Sequence, residues 1–273
     1  DLEPFSRFQR VVLSKFRIIR ILKPPSRESL QSASWPSFST TEKSFRKVDP
    51  GKLLRHAQEN GVELAANERE MERHGYNAVD LTQIIVTHYD IDHIGSLYDF
   101  KTKYPRIRIW ASAQEAAAIS GERKSDRLIQ AENLLERMPE EQREFGQWFI
   151  RQLQSLKHAP VDRMLQDGDR LFEGQCRIIA TPGHTPGHIS LYIPELDSVI
   201  TGDAAVNENG RLEIANPHFC LDPVKAAQSL NTLIELRAAH YYCYHGGKWA
   251  FKENDDPPGS ALLGGTGKML TLT

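Results

Sequence analysis

Thr87-His88-Tyr89-Asp90-Ile91-Asp92-His93-Ile94-Gly95 sets four side chains able to bind a cation, His88, Asp90, Asp92 and His93, within six residues. The stretch follows Ile84-Ile85-Val86, an apolar run that reads as a buried β-strand. On an extended segment, residues at i, i+2 and i+4 share a face. His88, Asp90 and Asp92 are therefore expected to converge, while His93 points elsewhere as the chain turns. One such cluster can serve two ions. Nitrogen and oxygen donors without thiolate suit zinc, manganese or iron better than an iron–sulfur cluster.

Three further candidate ligands stand at the exits of other predicted strands. His184 follows Ile178-Ile179-Ala180 within Pro182-Gly183-His184-Thr185-Pro186-Gly187-His188, Asp203 follows Val199-Ile200-Thr201-Gly202, and His245 follows the strand at Tyr241. Loops at one edge of a sheet can bring such residues together, and the adjacent glycines permit close backbone approach. His188, at the start of a new strand, reads as a supporting or turn residue. His56, His74, His158, His218 and His240 have no comparable neighbours, and Asp167 and Asp169 read as turn residues around Gly168.

The elements needed to position these groups fit one large domain of 273 residues. The formal net charge of −2, with 26% charged residues, gives no overall sign of a nucleic-acid or membrane partner. The three cysteines, Cys176, Cys220 and Cys243, are too scattered for a disulfide framework and read as buried thiols of a cytoplasmic protein. Lys15, Arg17 and Arg20 interrupt the apolar stretch from Val11 to Leu22 and spoil it as a signal-peptide core.

In chain order, Phe8–Leu13 and Phe16–Leu22 fit either two strands or one basic amphipathic helix, and the Ser-rich stretch at 26–41 reads as a loop. Lys52 to His74 predicts two helices broken at Asn60-Gly61. Residues 124–157 are charged and helical in pattern, with Pro139 starting a second helix and with apolar stripes that serve either ordinary packing or a lid over a site. Asp222-Pro223 opens a late helix, and the Gly- and Pro-rich tail after Asp255 reads as frayed. The expected divisions are an atypical basic N-terminal segment at 1–46, a main domain at 47–254 with a helical insertion at about 122–158, and a flexible tail at 255–273.

Thr-His-x-x-x-Asp-His-x-Gly, Pro-Gly-His-Thr-Pro-Gly-His, Thr-Gly-Asp and the late His-Gly resemble the metallo-β-lactamase superfamily over roughly residues 80–248. The resemblance implies an α/β fold, the four-layer αββα sandwich, with two metal ions at one edge. It implies one ion held by His88, Asp90 and His184, a second by Asp92, His93 and His245, and Asp203 bridging both. Most of the superfamily carries His where this chain has Asp90. The expected cofactor is two divalent ions, zinc first, with manganese or iron open because this shorter, anionic donor is harder than imidazole. The family's opening turn has its nearest match at Lys47-Val48-Asp49-Pro50-Gly51.

The resemblance also implies hydrolysis of a carbonyl ester, lactone or thioester. Two cations lower the pKa of a shared water toward ~7, the resulting hydroxide attacks a polarised carbonyl, and Asp92 or Asp203 passes a proton to the leaving group. The Pro-Gly-His repeat, the insertion containing Met138-Pro139-Glu140-Glu141, and Asp222-Pro223 look most like the N-acyl-homoserine lactonase branch. Those lactonases place a tyrosine three residues beyond the bridging aspartate, where this chain has Val206. Tyr89, Tyr241 and Tyr244 are candidate substitutes. The rival is a hydroxyacylglutathione-type thioesterase, with Lys248, Lys252 and Lys268 as the available basic groups. From another class, the chain is a metal-binding or nucleic-acid-interacting protein without hydrolase activity. The expected partner is a small-molecule substrate, with no nucleic acid and no membrane.

Overall fold

The structure is a computed structural model that describes residues 11–14, 17–20, 63–73 and 75–251, with the side chains of residues 11–14, 17–20, Glu63 and His218 excepted. The Ser-rich stretch, the turn at 47–51, the first helix expected from Lys52, the tail after Asp255, and His56, His74, Lys252 and Lys268 lie outside these residues. The described strands form two large sheets. The first has the order β2-β1-β3-β4-β5, from Arg17–Arg20, Val11–Ser14, Gln83–Ile85, Arg108–Ser112 and Arg163–Leu165. The second runs β13-β12-β9-β8-β7-β6, from Lys248–Ala250, His240–Cys243, Ser198–Gly202, Ile189–Ile193, Cys176–Ala180 and Arg170–Leu171. A separate hairpin, β10 (Val206–Glu208) and β11 (Arg211–Glu213), follows β9.

Three apolar clusters show why the chain stacks in four layers. Between the sheets, Ile85 and Leu165 of the first meet Ile178, Leu191 and Ile200 of the second, all buried. Outside the first sheet, Ile84 and Ile109 pack with Phe100 of α3 (Leu97–Lys103), Ile119 of α4 (Ala113–Ile119) and Met71 of α1 (Glu63–Arg73). Outside the second, Val199 and Tyr241 pack with Leu230 and Leu233 of α7 (Pro223–Glu235). Adjacent residues thus face opposite layers, Ile84 outward and Ile85 inward, as the period-2 geometry of a strand buried on both faces requires. This is the αββα sandwich expected from the motifs.

Local signals set the helix starts. Ser112 accepts from the Glu115 N–H, Ser125 from the Leu128 N–H and Asp222 from the Lys225 N–H, so each side-chain oxygen satisfies a donor that the first helical turn leaves free. The insertion is a pair of helices, α5 (Asp126–Arg137) and α6 (Glu140–Ser155), divided at Pro139 as expected. Against their small core of Ala131, Ile150 and Leu153 packs Ile91, from the middle of the Thr87–Gly95 stretch.

The two apolar pieces near the start of the chain take the first of their two expected forms. Val11–Ser14 and Arg17–Arg20 form an antiparallel hairpin, and β1 pairs in parallel with β3, Val11 opposite Ile84 and Val12 opposite Ile85. The edge of β3 would otherwise present unpaired backbone groups, and the Val/Ile-rich hairpin supplies partners. A boundary at residue 47 therefore separates from the sandwich two strands that extend its first sheet.

Because Ile178 is fully buried between the sheets, Ile178→Ala is expected to lower unfolding free energy by about 2–5 kcal/mol in a denaturant titration.

Candidate metal centre

Strand direction gathers the candidate ligands. β7 and β8 are antiparallel, as are β8 and β9, whereas β9 and β12 are parallel. The chain therefore leaves β7, β9 and β12 at one edge, and these exits carry His184, Asp203 and His245. The Ile189 N–H donates to the Thr87 carbonyl at 3.0 Å, which fastens the segment after β3 to the same edge.

Extended backbone continues only as far as Asp90, and a one-turn helix, α2 (Ile91–Ile94), begins there. The expectation that His88, Asp90 and Asp92 share one strand face is thus incorrect: the helical turn carries Asp92 and His93 to a second group. His88, His184 and Asp203 form one set of converging donors, and Asp92, His93 and His245 the other. Asp203 lies between them. Its Oδ1 is 3.3 Å from His93 Nε2, and its Oδ2 is 3.4 Å from His245 Nε2 and 3.6 Å from His184 Nε2. Asp90 Oδ2 lies 2.9 Å from His184 Nε2 and 3.5 Å from His88 Nε2.

These separations suit divalent ions. A tetrahedral ion about 2.1 Å from each donor leaves the donors about 3.4 Å apart. Moreover, His88 Nε2, His93 Nε2 and Asp203 Oδ1 are buried without a hydrogen-bond partner, a costly state that coordination would relieve. Burial and the neighbouring His93 hold His88 down to about 4, so it is neutral and ready to donate a lone pair. His184 moves the other way. Burial opposes its charge, but Asp90, Cys220 and Asp203 raise it to about 10. Desolvation also opposes the charge on Asp203, but His93 and His245 outweigh it and hold this carboxyl well below the usual carboxylate range.

Several supporting residues were not visible as such in the sequence. Arg127 of α5 is buried and clamps Asp90, Nε to Oδ1 at 2.9 Å and Nη2 to Oδ2 at 2.8 Å. The available signal was its position four residues before Ala131 on the buried face of an amphipathic helix. Glu115 is buried at the start of α4 and accepts from the Tyr89 N–H, the Gly187 N–H and the Thr185 hydroxyl at 2.7–2.8 Å. One carboxylate thereby ties the two histidine-bearing loops together, and burial raises its pKa. Cys220 Sγ lies 4.0 Å from His184 Nδ1.

His188 takes the supporting role expected of it. Its Nε2 accepts from the Asp203 N–H at 2.9 Å, which leaves Nδ1 to donate to Thr181 Oγ1 at 2.8 Å. Gly202 sits at φ +54°, and a Cβ there would lie 2.7 Å from His188 Nε2, so glycine is required on both counts. Of the tyrosines considered, Tyr241 is in the core with its hydroxyl on the Leu233 carbonyl. Tyr244 stands at the centre, its ring 4.0 Å from that of His93 and its hydroxyl donating to the Asp92 carbonyl at 3.1 Å. Val206 is buried against Ala215, Cys220 and Ala226. The cysteines are free and buried, and among the described residues no helix is long and apolar enough to cross a membrane.

Replacing Glu115 by Ala leaves three buried donors without their acceptor, each worth about 1–3 kcal/mol. The expected loss in unfolding free energy is about 3 kcal/mol or more by denaturant titration, with a smaller loss for Glu115→Gln, which keeps one acceptor oxygen.

The chain is similar to known proteins. The curated relatives found include hydroxyacylglutathione hydrolases from Brucella anthropi, 28% identical over 78% of this chain and 66% of the relative, and from Synechococcus sp., 24% identical over 66% of this chain and 57% of the relative. The chain thus spans less than two thirds of the length of these relatives. These relatives are named hydroxyacylglutathione hydrolases, so the lactonase-like placement finds no support in them. A solved metallo-beta-lactamase family protein from Thermus thermophilus superposes with a TM-score of 0.50 at 25% identity, over 69% of this chain and 62% of that one. The profile of the Metallo-beta-lactamase superfamily matches residues 58–245, which include every candidate ligand. The chain belongs to the metallo-beta-lactamase superfamily.

Proposed function

We propose that this chain is a hydrolase that uses two divalent ions to cleave a carbonyl ester, lactone or thioester bond, with a thioester as the favoured substrate. The observation that carries the reading is Asp203, whose carboxylate reaches both groups of donors, with Oδ1 facing His93 and Oδ2 between His184 and His245. His88, Asp90, His184 and Asp203 would hold one ion, and Asp92, His93, His245 and Asp203 the other. When bound, such a pair supplies a nucleophile from water at neutral pH and polarises a carbonyl. Zinc fits the imidazoles, while the Asp90 carboxylate favours manganese or iron.

The chain's own residues divide the remaining work. The His245 and Asp92 side chains are 49% and 26% exposed, against 5% for Asp203 and 4% for His184, so substrate meets the second donor group first. Asp92 is the carboxylate with both solvent access and a place in the centre, which makes it the proton carrier to the leaving group. Asp203, enclosed by imidazoles, acts as the fixed bridge. His188 and Tyr244 hold Asp203 and Asp92 through their backbones. The names of the curated relatives support a thioester. A lactone is the second choice, because Val206 packs into an apolar cluster where the lactonase branch has its tyrosine. Lys248, available for a substrate carboxylate, lies with its Nζ 5.7 Å from the Tyr242 ring.

The direct test is elemental analysis of the purified chain together with a hydrolysis panel of S-acylglutathione thioesters, N-acyl lactones, β-lactams and phosphodiesters. Two ions per chain and thioester turnover abolished by a chelator are expected. Two bound ions with no turnover of any carbonyl substrate would leave a metal-binding protein that is not a hydrolase of this kind.

A second measurement reads the protonation of His184. Its pKa in the metal-free chain is raised to about 10, so the imidazole is charged at pH 8 and must lose its proton to ligate. Zinc binding at pH 8 is therefore expected to release this proton, with affinity rising from pH 7 toward 10. Calorimetry in buffers of different ionisation enthalpy checks it; heats independent of buffer would contradict the assignment.

A further inference from the structure

Arg127 makes more contacts at the centre than a helix surface requires. Besides clamping both Asp90 oxygens, its Nη1 donates to the Phe219 carbonyl at 2.6 Å and to Gln130 Oε1 at 2.8 Å, and its Nη2 lies 3.3 Å from His184 Nε2. Arg127 and Asp90 are 3% and 9% exposed, so neither charge is solvated by bulk water. The guanidinium also bonds the same Asp90 oxygen that faces His184 and His88. A cation held by that donor group would share this oxygen with Arg127.

We propose that Arg127 is an internal counter-ion, which stands in for the first metal ion beside Asp90 in the metal-free chain and competes with that ion for the carboxylate. The inference rests on the two-ion reading above and adds a residue from the helical insertion to it. Two consequences follow from charge alone. A buried carboxylate short of counter-charge is unfavourable, and Arg127, the permanent cation bonded to both Asp90 oxygens, adds to the His184 imidazole at 2.9 Å before any ion arrives. Once an ion occupies the site, two positive charges bear on one oxygen in a region of low dielectric, so Arg127 weakens the ion's hold. An arginine that merely braced α5 would act in the opposite sense, since losing a brace loosens the ligands and lowers affinity.

The test compares Arg127→Leu with wild type by thermal denaturation, with and without zinc, and by competition for zinc against a chromophoric chelator. His245→Ala, made in both chains, weakens the second donor group so that the titration reports the first. Without zinc, Arg127→Leu is expected to melt well below wild type, or to be recovered folded only when zinc is present. With zinc the two should melt close together, and the first-site affinity of the variant should rise about tenfold or more. Asp90→Asn combined with Arg127→Leu removes both charges. It should regain metal-free stability over Arg127→Leu alone and bind the first zinc more weakly than wild type. A metal-free Arg127→Leu chain as stable as wild type, or an unchanged or lower zinc affinity, overturns the proposal while leaving the two-ion reading intact. A wild-type chain that takes up no zinc, manganese or iron overturns both.

Discussion

Asp90 and Asp203 are taken out of water beside several imidazoles, and the desolvation of these carboxylates has to be offset oxygen by oxygen. Asp203 meets His93 on one side and His184 and His245 on the other. Asp90 meets His184 and the fork of Arg127. Each partner arrives on a different segment of chain, so the two acids couple the fold to the site. The segment after β3, the exits of β7, β9 and β12, and the insertion helix must all be in place before these charges can be buried. The centre is a consequence of the finished sandwich and cannot be a local property of the Thr87–Gly95 stretch.

The sheets make that convergence possible because three strand exits of the second sheet share one edge and the segment after β3 is bonded to it. Fixing the loops that leave this edge is a separate problem, and Glu115 solves part of it. A charged acceptor can take three donors at once, and here it draws them from either side of the centre. A second device is the His188 imidazole, which holds the Asp203 backbone and is itself held by Thr181. The side chains that could hold ions are thereby oriented through their neighbours, as metal sites generally require.

Much of this was legible in the sequence, for reasons that differ by residue. His184, Asp203 and His245 could be found because a polar residue after an apolar strand and beside glycine is a local pattern. The division of labour within His88–His93 could not, because alternation assumes that the strand continues, and α2 starts at Ile91. Arg127 escaped notice because a charge on an amphipathic helix is usually solvated, and only tertiary structure shows that this one lies on the buried face. The hairpin at Val11–Arg20 fitted a strand or a helix equally well by composition. Its pairing with β3 is a contact between residues about seventy apart, and no local pattern encodes it.

Burial is unequal across the centre. His88 and His184 are enclosed, with Arg127 of the insertion closing over Asp90 and Ile91 packed into the insertion's own core. His245 and Asp92, in contrast, are partly open to solvent. Ligands that are buried and preorganised lose little freedom when they bind, whereas exposed ones must be ordered first. On the proposed two-ion reading, the enclosed group would take a fixed structural and electrostatic role, and the open group would exchange water, substrate and product. The insertion, through Arg127 and Ile91, touches the enclosed side. Changes in its sequence would be felt first in how the inner carboxylate is held and only secondarily in what the open side admits.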